Sequence, residues 1–331
     1  MDRIADYARL GRMHTAPSEM FGLPLAAYLG GVPPVYLIFF VVLGLMVHTA
    51  GFGMNSLVDY LYGYDRADPS KAHHPLVTGR ISVLQASVFI FGLQLASVFY
   101  FIALTHVWFA VVSFAVYVFF GWCYNLLAKR NKWAAMAYLG ISMGALFFAA
   151  ASVKGLVTST IVAASLYTCF VVVFQIGICG DLKDLAAGTH EVNVLQQLGT
   201  HVEGGMMVTS QAGYLLAFVL SAFKTAFIGY FAYTIDPLWA VPVTIISGMF
   251  FFFFSYREME GNRPYDHAYR LRLIGFGEVM AYIFLIVAAF PLMLTWAPYA
   301  FILFFVAPVL FYFFMNRMIW PESGSGWAPG V

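Results

Sequence analysis

Ten apolar runs, separated by short polar stretches, organise this chain. They cover residues 17–32, 34–60, 82–105, 107–127, 134–153, 156–180, 209–233, 237–255, 273–295 and 298–316. Each is at or near the length of about 20 residues that a helix needs to cross a hydrocarbon core. The runs are continuously apolar, without the period-two alternation of a membrane β-barrel strand. Backbone groups in lipid must find partners within their own segment, so the runs are predicted to be helices. The expected fold is all-α: a polytopic membrane bundle of nine to ten transmembrane helices around a central cavity, in a single domain over residues 1–331.

Lysine and arginine placement orients the bundle. With the N-terminus inside and strict alternation, fifteen of the seventeen basic residues fall on the inner side. Lys154 lies outside and Lys224 within a span. This is the asymmetry of the positive-inside rule, and it predicts cytoplasmic termini. Composition agrees: 62% of residues are hydrophobic and 10% charged, against about a quarter charged in soluble domains. A net charge of +1 with no extended basic face argues against nucleic acid as a partner. Cys123, Cys169 and Cys179 lie in apolar runs without metal or disulfide spacing and read as small buried residues. No cleavable signal pattern is seen in the first apolar run. No phosphate-binding glycine loop follows a strand, so nucleotide binding has no support.

Three inner loops are long, 61–81, 181–208 and 256–272, and the first two open on clustered acids. Long loops in a compact protein often carry function, so 61–81 and 181–208 are expected to cap the cytoplasmic face. In the first cluster Asn55 and Asp59 are four apart and share a helix face, with Asp65 and Asp68 beyond Gly63. In the second, Asp181 and Asp184 are three apart. Carboxylates at membrane ends cap helices or mark a site. Magnesium takes one or two carboxylates together with phosphate oxygens and water. Two such clusters at one membrane face therefore suit a diphosphate bridged by divalent ions.

Asn55, Asp59, Tyr60, Gly63 and Asp65, followed by Pro75, Gly79, Arg80 and Ser82, resemble the first signature of the UbiA superfamily of intramembrane prenyltransferases, in the spacing of its menaquinone-type branch. Asp181, Lys183 and Asp184, then Leu198 and Gly199, are similar to its second signature. Tyr124 with Lys129, Arg130 and Lys132 resembles the family's tyrosine-then-lysine segment. The resemblance runs through about residue 200. It implies a Mg²⁺-dependent enzyme that ionises an isoprenyl diphosphate and transfers the prenyl group to a lipophilic, often aromatic, acceptor within the membrane lipid. It further implies Asn55, Asp59, Asp65, Asp181 and Asp184 as metal ligands. Lys71, Arg80, Tyr124, Lys129, Lys132 and Lys183 would contact the diphosphate, and Asp59, Asp184 and Lys129 would carry catalysis.

The chain departs from the family pattern at several places. Gly63 stands where an acid is common, and His74-Pro75 where Arg-Pro is usual. Gly188 replaces a third acid of the second motif, with Glu191 three residues on. Asp181 takes the place of an Asn, and Lys183 that of an Arg. Ten helices are counted against the family's usual nine. A UbiA-type terpene cyclase therefore stays open, a reading to which 34 Phe and 20 Tyr lend aromatic faces for cations. A transporter is the alternative of another class, although acids at one face differ from mid-depth transporter sites. His73 and His74 are read as exposed loop residues, Glu19 and Glu278 as helix-end groups, and Lys224 as snorkelling or paired within the bundle. Gly30/Gly31 and Gly140/Gly144 are expected at turns or close helix contacts.

Overall fold

The computed structural model describes residues 2–67, 71–128, 131–186 and 193–320. Lys129 and Arg130, Asp68, Gly188, Glu191 and the Ser-Gly tail at 323–326 lie outside them. In chain order the longer elements are α1 (Asp2–Leu10), α2 (Pro17–Leu29), α3 (Leu37–Leu61), α4 (Val83–Leu104), α5 (Trp108–Leu126), α6 (Lys132–Ala151), α7 (Ser159–Phe174), α8 (Val194–Gln197), β1 (His201–Glu203), β2 (Met206–Val208), α9 (Gln211–Ile235), α10 (Pro237–Met259), α11 (His267–Met293) and α12 (Ala307–Ile319). Among the described residues, eight helical stretches are long and apolar enough to span a membrane, and the chain is a multi-pass integral membrane protein.

Three of the ten expected runs take another form. Residues 17–32 form only the 13-residue α2, about 20 Å long at 1.5 Å per residue, because Gly30, Gly31 and the prolines that follow stop it. Gly31 has φ +84°. The ninth and tenth runs join in one helical stretch, His267–Ile319. A 3-10 turn at Leu294–Trp296 divides it into two lengths that each suffice to cross.

Polar residues punctuate the runs. Ser82 and Gln85 form a reciprocal capping box at α4. Thr158 caps α7, Ser210 caps α9, and Asp236 caps α10 through the Leu238 and Trp239 amides. Each such cap contributes about 1 kcal/mol.

The chain divides into two compact units. The first comprises Met1–Phe114, Ala149–Leu156 and Trp296–Val331, the second Ala115–Phe148 and Val157–Thr295. In the first unit α2 lies along α3. A Cβ on Gly44 would stand 2.5 Å from the Met20 Cα, and one on Gly30 only 1.9 Å from the Ala151 carbonyl oxygen. Small residues thus let the backbones touch where apolar burial gives no net drive between helices in lipid. In the second unit Gly140 and Gly144 meet Cys169 and Val173 of α7 in the same way. There α9 and α10 form a helical hairpin packed on α7 and α11, filled by Phe174, Phe250, Phe251, Phe254 and Phe284. Large apolar side chains outside these contacts, such as Leu238 at 84% and Trp108 at 74% exposure, face where lipid would lie.

A small sheet interrupts the all-helical pattern within loop 181–208. β1 and β2 pair antiparallel through Gly204-Gly205, both with positive φ, as a two-residue hairpin of this twist requires. Residues of the 256–272 loop extend it: the Asn262 amide donates to the Met207 carbonyl (2.8 Å) and the Met207 amide to the Arg263 carbonyl (2.9 Å). Met207 is fully buried.

Candidate active site

The first unit carries the first acid motif. In the last turns of α3, Asn55 Nδ2 donates to Asp59 Oδ2 at 2.9 Å, and both side chains are half-buried. Gly63 follows α3 with φ +86°, the left-handed conformation that closes many helices and suits glycine. This is a backbone reason for the missing acid at that position. The turn delivers Asp65 into the short helix Tyr64–Ala67, where it is buried.

Beside it, His74 Nδ1 lies 4.0 Å from Asp65 Oδ2. Contrary to the loop reading, the His74 side chain is largely buried, while His73 is exposed. Burial, reinforced by the Lys71 and Arg12 charges and opposed by Asp59, lowers the His74 pKa to about 4. It is therefore neutral at physiological pH and does not replace the family's arginine as a cation. Lys71 is half-buried. Arg80 is engaged within its own unit: Nη1 pairs with Asp6 of α1 at 3.2 Å, Nη2 donates to the His73 carbonyl at 2.8 Å, and Nε to Thr78 Oγ1 at 3.1 Å.

The second unit carries Tyr124, Lys132, Asp181, Lys183 and Asp184. α7 continues into a π-helix, Gln175–Gly180, and then the turn Asp181–Lys183. π-Helical turns recur at functional sites. Asp181 has a task that its spacing did not predict. Its Oδ2 accepts from the Val194 amide (2.7 Å) and the Leu195 amide (3.3 Å), and its carbonyl accepts from Asn193 Nδ2 (2.8 Å). Asn193 in turn forms a capping box with Gln196.

Asp184 and Lys183 stand together, Nζ to Oδ1 3.4 Å, each about a third exposed. Tyr265 and His267 Nδ1 both donate to the Lys183 carbonyl, the latter at 2.9 Å. Burial, and next the Asp184 charge, raises the Tyr265 hydroxyl above its ordinary range. Lys132 opens α6 and is half-buried, and Tyr124 near the end of α5 is half-buried. Lys224 is buried with Nζ 3.4 Å from the Phe174 ring centre and 4.4 Å from that of Phe251, the paired fate expected of it.

Among the described residues, no three His, Cys, Asp or Glu side chains gather closely enough to form an all-protein metal cage. Magnesium keeps waters and takes substrate phosphate oxygens beside one or two carboxylates. In the first unit the oxygen donors of Asn55, Asp59 and Asp65 are of the kind such an ion takes, and in the second unit so is Asp184. Asp181 fits less fully, because one of its oxygens already holds two amides.

Sequence reasoning passed over several groups. The capping pair Asn193/Gln196 was visible as a polar residue with a glutamine three positions on. Tyr265 and His267 gave no local signal, since their partner is over 80 residues away. In the first unit Glu19 lies in the first turn of α2, as its helix-end reading expects, and its half-buried side chain has a distant partner, with Oε2 2.9 Å from His48 Nδ1.

The model of the UbiA prenyltransferase family matches residues 17–273. No curated protein matches the sequence. Among solved structures, a digeranylgeranylglyceryl phosphate synthase is similar with a TM-score of 0.64 at 14% identity, covering 87% of this chain and 98% of its own. A UbiA homologue from Archaeoglobus fulgidus bound to GPP and Mg²⁺ gives 0.63 at 15% identity, over 86% and 98%. A UbiA homologue from Aeropyrum pernix K1 gives 0.50 at 17%, over 80% and 97%. At these identities the likeness speaks for a shared fold.

Proposed function

Because the chain belongs to the UbiA prenyltransferase family, we propose that it is a magnesium-dependent intramembrane prenyltransferase that opens to the cytoplasm. The observation that carries this reading is the first motif: Asn55 bonded to Asp59 one turn below it, and Asp65 turned into a buried position by Gly63. Such oxygens at the inner end of a span suit a divalent ion far better than they suit lipid. Magnesium, when bound, neutralises the charge that develops on a departing diphosphate.

This chain's own residues do the rest. Asn55, Asp59 and Asp65 would hold one ion, and Asp184 with the remaining oxygen of Asp181 would hold another. Lys71, Lys132 and Lys183 are the cations that bind the phosphate oxygens. Lys129 and Tyr124 join them by resemblance. Arg80 contributes only on leaving Asp6. The C1–O bond of the isoprenoid breaks with its electron pair on the diphosphate. An electron pair of the acceptor then forms the new C–C or C–O bond, and the acceptor gives up a proton. Apolar walls keep water from the allylic cation. Support comes from the Archaeoglobus relative, which was solved with GPP and Mg²⁺, and from the basic residues on the cytoplasmic side of the sequence topology.

The cyclase alternative follows from the departures from the family motifs, with aromatic richness as a further hint. Phe250, Phe251 and Phe254 pack against other rings of their own unit, and Lys224 lies over Phe251, so these rings add no support to it. The test is purified protein with Mg²⁺ and geranyl, farnesyl or geranylgeranyl diphosphate, with and without aromatic acceptors. Acceptor-dependent pyrophosphate release with a prenylated product is expected. Acceptor-independent release with a cyclic hydrocarbon would make it a cyclase. No release from any diphosphate would overturn the reading.

A further inference from the structure

The loop 256–272 has no part in the reading above, yet it reaches the second acid motif. We propose that Tyr265 and His267 are positioning residues for Asp184: they clamp the peptide that carries it and thereby set the metal affinity of the second motif. The proposal rests on the prenyltransferase reading for the role of Asp184.

The clamped atom is the Lys183 carbonyl oxygen, at the end of the turn Asp181–Lys183, where helix carbonyls lack intrahelical partners. Two donors from one loop meet it, the Tyr265 hydroxyl and His267 Nδ1–H. A carbonyl oxygen has two lone pairs and accommodates both. The Lys183 carbonyl and the Asp184 amide belong to one planar peptide unit. The Asp184 amide itself donates to the Asp181 carbonyl at 3.2 Å. The plane is thus held on both edges, and the Asp184 Cα lies in it. Asp181 is fixed in turn by Asn193, Val194 and Leu195.

The donors stand on a stiff platform. The Tyr265 amide donates to the Gly205 carbonyl of the hairpin at 2.9 Å, and Asp266 caps α11 through the Tyr269 amide at 3.1 Å. One turn further on, Arg270 is buried against Glu258, with Nη1 on the Glu258 carbonyl at 2.5 Å. Water can reach this surface, since His267 is exposed and Lys183 about a third exposed, so the carbonyl needed no protein donor for satisfaction alone. Two such donors fix its place. Because a carbonyl only accepts, Nδ1 carries the hydrogen in both the neutral and the protonated imidazole, and the clamp holds in either state.

The experiment compares Tyr265→Phe, His267→Ala, their combination, and His267→Asn, whose Nδ2 can replace Nδ1. Two quantities are read: the Mg²⁺ concentration for half-maximal pyrophosphate release, and Mn²⁺ binding by paramagnetic resonance in the presence of geranyl thiolodiphosphate. Each lost bond is expected to weaken metal binding about five-fold, with kcat at saturating Mg²⁺ changed less and His267→Asn within two-fold of wild type. The shape of the pH profile stays that of wild type. Wild-type metal affinity in the folded double variant would overturn the inference. Should that variant not fold, unchanged affinity in Tyr265→Phe, which deletes one oxygen atom, does the same. Asp184→Asn separates the two levels: if it leaves the Mg²⁺ dependence intact, the functional reading itself is wrong. If it abolishes that dependence while the clamp variants behave as wild type, only the clamp is wrong.

Discussion

Replacing Asp181 separates a structural from a metal-binding role, because the two depend on different properties of the side chain. In the folded protein Oδ2 accepts from the Val194 and Leu195 amides at 2.7 and 3.3 Å, on a residue only 5% exposed. Asp181→Ala strands both amides. A hydrogen bond to a charged group contributes about 1.5–3 kcal/mol, and the 3.3 Å contact is the weaker one, so the loss is about 3 kcal/mol. Asp181→Asn keeps an acceptor at the same place but gives up the charge assistance, which roughly halves the strength and costs about 1–2 kcal/mol. Apparent melting in one detergent should therefore rank wild type above Asn and Asn above Ala, with two intervals of similar size. Limited proteolysis after Lys183 should follow the same order, since α8 is what these amides hold down. Mg²⁺ half-saturation should instead separate both variants from wild type together, because neither offers an anionic oxygen. Equal stability of the alanine variant and wild type would refute the capping role. A metal dependence that follows stability rather than charge would refute Asp181 as a ligand.

Other expectations follow from the same structure. Asp59→Ala and Asp184→Ala should each abolish turnover while the protein stays monodisperse in detergent, and excess EDTA should silence wild type, with activity restored by Mg²⁺ or Mn²⁺; survival of activity in any of these would count against the site. His14 is buried, and burial, with Arg12 and His48 adding to it, lowers its pKa from 6.5 to about 4. The folded state therefore binds fewer protons than the unfolded state between those values, and stability falls as pH drops from 6.5 towards 4, by at most about 3 kcal/mol. Melting of His14→Leu should be flatter than wild type across that window, and parallel curves would exclude the effect. Gly44→Ala places a methyl 2.5 Å from the Met20 Cα and 2.6 Å from the Glu19 carbonyl oxygen, both backbone atoms, and overpacking of this kind costs about 1–3 kcal/mol; unchanged melting would mean that α2 is not seated as described.

Much of the candidate site was legible because its logic is local. Asn55 and Asp59 are four residues apart, and helix geometry alone places them on one face, where the structure finds them bonded. Gly63 looked like a defect in the motif until its φ of +86° gave it a backbone task. Arg80 pairs with Asp6, some 70 residues earlier, a partner that spacing does not reveal because Coulomb attraction acts on distance in space. His74 lies in a loop by pattern and in a pocket by packing, which is why its expected exposure was wrong.

Hydrophobic length determined most of the helices, since a chain in lipid must bond its own backbone, and the basic residues set the expectation of a sided topology. These are properties of single segments and their flanks, so one sequence carries them in full. Which groups far apart in the chain become partners was decided by tertiary structure alone. Asp181 caps a helix thirteen residues on, Tyr265 and His267 grip Lys183, and Glu19 meets His48, because close packing brings distant residues to bonding range at positions no periodicity encodes.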